Sequence, residues 1–531
     1  MSVTTIHTSK IIGIEAVDIV VETTITPGIG IHLLGLADAA VKQSLLRTIT
    51  ALQSLGYHIP GKRILINLAP ADLHKSGETY DLAIALGIIA ASGQADLPSP
   101  ERWLVVGEVA LDGELRSVPG CIPTVFLGRR MNLAGCIIPK ANAEEVLPYA
   151  GDLPVYAVDN LSEAVKVIRG ETEDIPTVQE MTFSENTESK AGDDAELRWK
   201  SLAGNEGAKR ALEVAAAGGH NLLLVGPAGT QKSTLARALV DLLPPMGDIE
   251  RAVVDGIYSV AGKGMMRPEG QRPFRAPHIS ASMSALFGGG TGDNILPGEV
   301  SLASGGVLFL DDVAEMPKSV GDALRGPIED RKVLISRLKS RIEYPAQFQL
   351  VAATTMCPCG WYGYGERCKC TPRQRGQYMS HINPWLLERI AVQAWVQPQL
   401  KISVQTESLE TVKERVSKAR QMQKARYAGE SIRTNDELTS QNINGFVKLN
   451  QECKVLLDKL IERLGLSARS YTPILKLART IADLAGCEEV GVTHIAEAAS
   501  YRFLDRYALW RELTCESADS AASEGRISTG Q

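Results

Sequence analysis

The sequence of 531 residues lacks the features of a membrane or secreted protein. No apolar run reaches the roughly 18–20 residues that a membrane-spanning helix needs, and the first residues carry no basic segment followed by an apolar one, as a signal peptide would. Nine cysteines in a chain of this length do not make a disulfide framework. We therefore expect a cytoplasmic protein without membrane contact.

The chain also lacks a net positive charge. Its 56 Lys and Arg residues face 62 Asp and Glu residues, so the formal charge is −6. No general attraction to DNA or anionic lipid is expected from that balance, and any contact with nucleic acid depends on a local basic surface. An apolar content of 44% is ordinary for globular proteins, and the length predicts roughly two to four domains.

Changes of composition along the chain predict an α/β multidomain protein. Short β-branched runs alternate with helical stretches near the N-terminus, an acidic polar segment follows, and an α/β pattern then gives way to helices. The predicted segments are 1–170 for an N-terminal α+β domain, 171–197 for an acidic linker, 198–395 for an α/β core, 396–512 for a helical C-terminal domain and 513–531 for a disordered tail.

A phosphate-binding loop is predicted between an apolar strand and a helix. This is the context in which the pattern G-x-x-x-x-G-K-[ST] holds phosphates on backbone N–H groups. Lys232 is expected to reach the β- and γ-phosphates of ATP, and the Ser233 hydroxyl to bind Mg²⁺. Gln231 stands where the pattern has its second glycine. The predicted nucleotide-binding residues are Gly226, Pro227, Ala228, Gly229, Thr230, Gln231, Lys232, Ser233 and Thr234.

A second apolar strand ends in two carboxylates, Asp311 and Asp312. Taken alone, such an ending is usually a turn or a helix cap. Downstream of a phosphate-binding loop it matches an acidic motif in which Asp311 ligates Mg²⁺ and Asp312 orients the attacking water. The pair of motifs predicts an ATP- and magnesium-binding site.

Six longer stretches extend the similarity beyond these motifs. They are Asn67–Leu73, Val106–Arg116, Ala208–Asn221, Pro273–His278, Pro297–Leu302 and Leu466–Tyr471. With them the chain resembles the magnesium-chelatase-like AAA+ ATPases of the ComM/YifB type along nearly its whole length. The resemblance implies a Lon-protease-like N-terminal domain, an AAA+ core and a helical lid. It also implies a ring, expected to be a hexamer, that acts as a DNA helicase in branch migration during natural transformation.

The resemblance assigns further roles residue by residue. Thr355 takes the place of the family's sensor asparagine, Arg389 matches the arginine finger that acts on a neighbouring subunit, and Arg469 matches the lid arginine. The predicted catalytic residues are therefore Asp312, Thr355, Arg389 and Arg469.

Three hydrolytic positions depart from the family together: Gln231 replaces a glycine, Asp312 a glutamate and Thr355 an asparagine. Losing one transition-state contact commonly costs about 10²–10³ in rate. A nucleotide-gated assembly subunit, chaperone-like or chelatase-like and with weak hydrolysis, therefore stands as the alternative to a DNA helicase. DNA-stimulated turnover would favour the helicase.

Four cysteines fall on one short loop in a C-x-C…C-x-C pattern. Four thiolates suit a tetrahedral Zn²⁺ site, whereas four reduced cysteines in a structured loop are the alternative. The cysteines are Cys357, Cys359, Cys368 and Cys370.

The N-terminal domain lacks the pair of residues that a Lon-type peptidase needs. The resemblance places Thr79 at the position of the nucleophile, but the expected lysine is absent from the segment that begins at Cys121. We therefore predict a non-proteolytic domain.

For DNA, the basic run 413–426 is typical of a solvated lid surface, while Arg272, Arg275 and His278 are further candidates for phosphate contacts.

Overall fold

The computed structural model describes residues 3–183, 188–264, 270–291, 294–336, 341–397, 407–464 and 471–505. Arg469 and the predicted tail, 513–531, lie outside these residues. In the part of the chain that is described, no helix is both long enough and apolar enough to cross a membrane.

The N-terminal unit is built on one mixed sheet whose strand order is β3-β4-β2-β1-β5-β8-β9. β2 pairs antiparallel with β1 and β4, and the other neighbours pair in parallel. The nearly continuous apolar helix α2 is buried against this sheet. The elements are β1 Thr4–Ile12, β2 Glu15–Thr26, β3 Ile31–Leu34, α1 Ala39–Ser54, β4 Arg63–Ala69, α2 Asp81–Ser92, β5 Trp103–Val105, β6 Glu108–Val109, β7 Leu115–Arg116, α3 Cys121–Arg130, β8 Gly135–Pro139, α4 Ala143–Val146, β9 Val155–Val158 and α5 Leu161–Arg169.

The acidic segment 171–197 contains regular structure. Val178 is buried against the N-terminal unit, and helix α6, Glu188–Ser201, runs into the core. The reason is the apolar end of this helix, where Trp199 is buried and donates its indole N–H to the Glu407 carbonyl at 2.9 Å.

A second sheet, entirely parallel, forms the core with the order β11-β14-β17-β10-β18. Its central strands are buried on both faces because helices and loops cover both sides. The elements are α7 Glu206–Gly218, β10 Leu222–Val225, α8 Lys232–Leu242, α9 Asp248–Val260, β11 Phe274–Arg275, α10 Met283–Phe287, β12 Gly288–Thr291, β13 Asn294–Pro297, α11 Glu299–Leu302, β14 Val307–Leu310, α12 Lys318–Ala323, α13 Arg325–Asp330, β15 Lys332–Ser336, β16 Arg341–Pro345, β17 Gln349–Thr354, α14 Pro372–Met379, α15 Pro384–Arg389 and β18 Val392–Trp395.

The C-terminal unit is helical and shares one apolar core with α7 and one face of the parallel sheet. Its helices are α16 Leu409–Arg426, α17 Ile443–Phe446, α18 Gln451–Leu464, α19 Tyr471–Leu484 and α20 Val492–Ser500.

The basic run 413–426 forms most of α16, but its arginines do not form the solvated surface that the sequence suggested. Arg420 donates to the Ala216 carbonyl at the end of α7, and Arg426 pairs with buried Asp483 on α19 at 2.5 Å. These guanidinium groups face α7 and α19 because α16 packs against both helices. They hold the helical unit to the core.

Candidate functional site

The predicted phosphate-binding loop connects β10 to α8 and contains two residues with left-handed backbone. Gly229 and Gln231 both lie in the left-handed region, with φ values of 76° and 61°. Glycine adopts this conformation at little cost, whereas a residue with a Cβ is strained. The Oε1 atom of Gln231 is also buried without a hydrogen-bond partner. Gln231, the departure from the motif, therefore holds a backbone conformation that suits glycine better than a residue with a Cβ.

Lys232 begins α8 and is largely buried. Its ammonium donates to the carbonyls of Gly226 and Pro227 at 3.0 and 2.9 Å, so it braces the loop from within. Burial lowers the pKa of Lys232, while Asp311 and Asp312 oppose that shift. A phosphate seated in the loop would offer this ammonium a charged acceptor in place of two neutral carbonyls.

The two aspartates follow β14 and face the same cavity as the loop, with a volume of about 370 Å³. Glu315 also lines this cavity. Burial, together with Asp311 and Glu315, raises the pKa of Asp312. Three carboxylates beside the single ammonium of Lys232 favour a divalent cation here.

Thr355 follows β17, which lies between the strands that carry the two motifs. Its hydroxyl donates to the Cys357 carbonyl at 3.0 Å and lies 3.2 Å from the Tyr378 hydroxyl. Thr355 is therefore in the cavity, but its hydroxyl is already engaged by the adjacent loop. The strand order thus brings the phosphate-binding loop, Asp311, Asp312 and Thr355 together.

The four cysteines lie beside this cavity, with all four sulfur atoms within 4.8 Å of one another. Cys357 and Cys359 are 3.3 Å apart, and Cys368 is 3.7 Å from each of them. Burial raises the pKa of Cys357 to about 12, whereas the Trp361 N–H lowers the pKa of Cys359 to about 7. The cluster offers four soft ligands to a metal ion.

Arg389 does not reach the cavity of the phosphate-binding loop. It ends α15 on another face, where it pairs with Glu329 and leaves 47% of its side chain exposed. It lines a separate cleft of about 900 Å³ between the core and the helical unit. The predicted finger and the predicted nucleotide site are therefore on different surfaces of one chain.

His220 and Asn221, just before β10, hold that face of the protein, and no motif in the sequence indicates this role. The Asn221 side chain donates to the Arg389 carbonyl at 3.0 Å and accepts from the Leu350 N–H at 2.9 Å. Buried His220 lies 2.7 Å from the Thr480 hydroxyl on α19. Their signal in the sequence is the Gly-Gly-His-Asn ending of the stretch Ala208–Asn221, which carries part of the family resemblance.

Arg272 and Arg275, the candidates for phosphate contacts, are each paired with a carboxylate of the chain, and their contact with DNA stays a prediction. Arg272 binds both carboxylate oxygens of Glu250, at 2.8 and 3.1 Å. Arg275 pairs in the same two-pronged way with Glu299, at 2.5 and 2.6 Å. His278 is exposed.

In the N-terminal unit, Thr79 lines a cavity of about 280 Å³ together with Lys10 of β1. The Lys10 ammonium donates to the His74 carbonyl. Cys121, where the resemblance would place the peptidase lysine, is completely buried at the start of α3. A non-proteolytic role for this unit stays a prediction.

Family models match three parts of the chain. They are described as magnesium chelatase, subunit ChlI, at residues 198–404, subunit ChlI of Mg-chelatase at 21–142, and the ChlI C-terminal part at 406–502. The competence protein ComM of Haemophilus influenzae is 39% identical to this chain, over 95% of the chain and 98% of its own length. The protein YifB of Escherichia coli is 38% identical over the same shares.

Proposed function

The chain belongs to the magnesium-chelatase-like family of ComM and YifB, and on that premise we propose that it is a ring-forming ATPase that remodels DNA. The observation that carries the proposal is the shared cavity of Lys232, Asp311 and Asp312 beside a phosphate-binding loop. These residues fit ATP with Mg²⁺. The loop and the ammonium suit the phosphates, Ser233 and Asp311 suit the cation, and Asp312 suits the attacking water.

A ring is proposed because the site is incomplete within one chain. The described lining of the nucleotide cavity contains no arginine, whereas Arg389 projects from another face. An arginine at the γ-phosphate stabilises charge in the transition state, and a neighbouring subunit can supply it. We place Arg389 of one copy at the nucleotide of the next, in a ring expected to contain six copies.

A zinc ion at the four cysteines is part of the proposal. With Zn–S bonds of about 2.3 Å, a tetrahedral site separates its sulfur atoms by about 3.8 Å. The distances of 3.3 to 3.7 Å among Cys357, Cys359 and Cys368 fit that arrangement.

DNA is the proposed substrate of the motor, in branch migration during recombination, because of the likeness to ComM along 95% of the chain. The test is ATP turnover by the full chain with and without forked DNA, beside Lys232→Ala. We expect DNA to stimulate the wild type and the variant to be inactive. Equal, negligible turnover by both proteins would refute the motor.

A nucleotide-gated assembly subunit is the second candidate. Two observations favour it: the Thr355 hydroxyl is engaged by the Cys357 carbonyl, and Gln231 strains the phosphate-binding loop. Tight ATP binding without turnover, unaffected by DNA, would select this candidate over the motor.

A further inference from the structure

The loop of the four cysteines is also a wall of the nucleotide cavity. It leaves β17 after Thr354 and enters α14 at Pro372. Pro358, Cys359 and Gly360 line the cavity together with the phosphate-binding loop. A group that fixes this loop therefore fixes one side of the proposed ATP site.

Direct contacts join the cysteine loop to the phosphate-binding loop. The Ala228 N–H donates to the Gly360 carbonyl at 2.8 Å. Gly360 has a φ of 73°, and a Cβ added to it would lie 3.3 Å from the Ala228 Cβ. A Cβ on Gly363 would lie 3.6 Å from the Pro227 ring. The two loops thus pack with little spare space.

The cysteine loop reaches the other side of the cavity as well. The Cys357 carbonyl accepts the Thr355 hydroxyl, and the Cys370 carbonyl accepts the Arg375 guanidinium of α14 at 2.9 Å. On the same helix, the Tyr378 hydroxyl lies 3.4 Å from a Glu315 carboxylate oxygen. The first end of the loop therefore contacts Thr355, which lines the cavity, and the second end is joined to a helix whose Tyr378 contacts Glu315, another lining residue.

Besides these contacts, the loop is held by Tyr362, whose ring lies edge-on to Trp395 of β18 and beneath the Arg375 guanidinium. The regular structure of the loop is one turn of 3₁₀ helix at Gly365–Arg367, and most of its residues are exposed. Trp361 itself is 38% exposed. Short segments that cannot bury a core commonly depend on a structural metal for their fold.

We propose that the metal bound by the four cysteines sets the affinity of the nucleotide site, by holding Gly360 against the phosphate-binding loop. This inference depends on the zinc and ATP sites proposed above. Removing the metal frees the wall of the cavity, so the hydrogen bond from Ala228 and the position of Thr355 are lost together. We expect the Kd for ATP to rise about tenfold, as the loss of one hydrogen bond commonly produces.

The experiment measures zinc by mass spectrometry and the Kd of a fluorescent ATP analogue on the full-length protein. One sample is stripped with a zinc chelator and returned to magnesium buffer, with or without added ZnSO₄. Cys368→Ser removes a ligand, and Cys487→Ser is the matched control because Cys487 is exposed and outside the cluster. The expected result is one zinc per chain, a raised Kd after stripping or in Cys368→Ser, and recovery with added zinc.

Gly360→Ala keeps all four thiols and tests the contact without relying on the metal. It should retain zinc and still bind ATP more weakly, because its Cβ pushes the loop away from Ala228. If the untreated protein contains zinc and removing that zinc leaves the Kd for ATP unchanged, the inference is overturned but the zinc site is not. A wild type without zinc would overturn the zinc site and the inference together. A wild type that binds ATP no better than Lys232→Ala would identify the nucleotide proposal as the error.

Discussion

Replacing Gln231 by glycine should stabilise the protein, although it deletes a whole side chain. The wild-type residue holds a φ of 61° and buries an unpaired amide oxygen. The left-handed backbone costs about 1 kcal/mol for a residue with a Cβ, and an unsatisfied buried acceptor costs about 1–3 kcal/mol. The extra chain entropy of glycine opposes this gain by about 0.5–1 kcal/mol. The balance is a gain of about 1–3.5 kcal/mol.

The assay is thermal unfolding of the full chain, with Gln231→Ala as the matched control. For a domain of roughly 200 residues, a gain of 1 kcal/mol raises Tm by about 2–4 °C. Gln231→Ala removes the amide but keeps the strained Cβ, so its Tm should lie between those of the wild type and Gln231→Gly. The glycine variant should also bind ATP more tightly, because its backbone approaches the phosphates without hindrance.

Two results would refute this reasoning about Gln231. If the glycine variant melts below the wild type, the side chain makes a stabilising contact in the folded protein. If the alanine variant is at least as stable as the glycine variant, the cost of the left-handed backbone does not exceed the chain entropy that glycine adds to the unfolded state.

Further predictions concern the ring, the carboxylates and the helical unit. Arg389→Ala should bind ATP normally and lose about 10³-fold in turnover. Mixing it with Lys232→Ala should restore part of that turnover, because the intact Arg389 of one variant meets the intact nucleotide site of the other. No recovery would contradict an arginine finger that acts between copies. Because the pKa of Asp312 is raised, its carboxylate should be protonated, and turnover lost, at a higher pH than for an ordinary aspartate. Glu315→Gln should lower the pKa of Asp312 and move this loss of turnover to lower pH. A shift to higher pH would contradict the assignment. Asp483→Asn should destabilise the helical unit by about 3–5 kcal/mol in thermal unfolding, because it leaves two largely buried arginines without their carboxylate; a change below 1 kcal/mol would contradict that role.

Much of the candidate nucleotide site could be predicted from local sequence. The strand, turn and helix around Lys232 and the acidic end of the strand at Asp312 each carry their own signal within a few residues. The positions of the arginines were harder to predict, because the sequence does not distinguish an arginine in solvent from one paired with a carboxylate or a carbonyl. Arg272, Arg275 and Arg420 all find acceptors at least 20 positions away, and no local pattern encodes such pairs.

The local sequence specifies which groups are available: a predicted phosphate-binding loop with Gln231 in place of a glycine, two aspartates and four clustered cysteines. How these groups meet depends on the packing of the folded chain. Parallel pairing places β17 between β10 and β14, which puts Thr355 and the cysteine loop beside the phosphate-binding loop. The same packing sends Arg389 to another face. The physical reason is that spacing along the chain specifies local hydrogen bonds, whereas strand order and helix docking depend on burying the whole apolar surface at once.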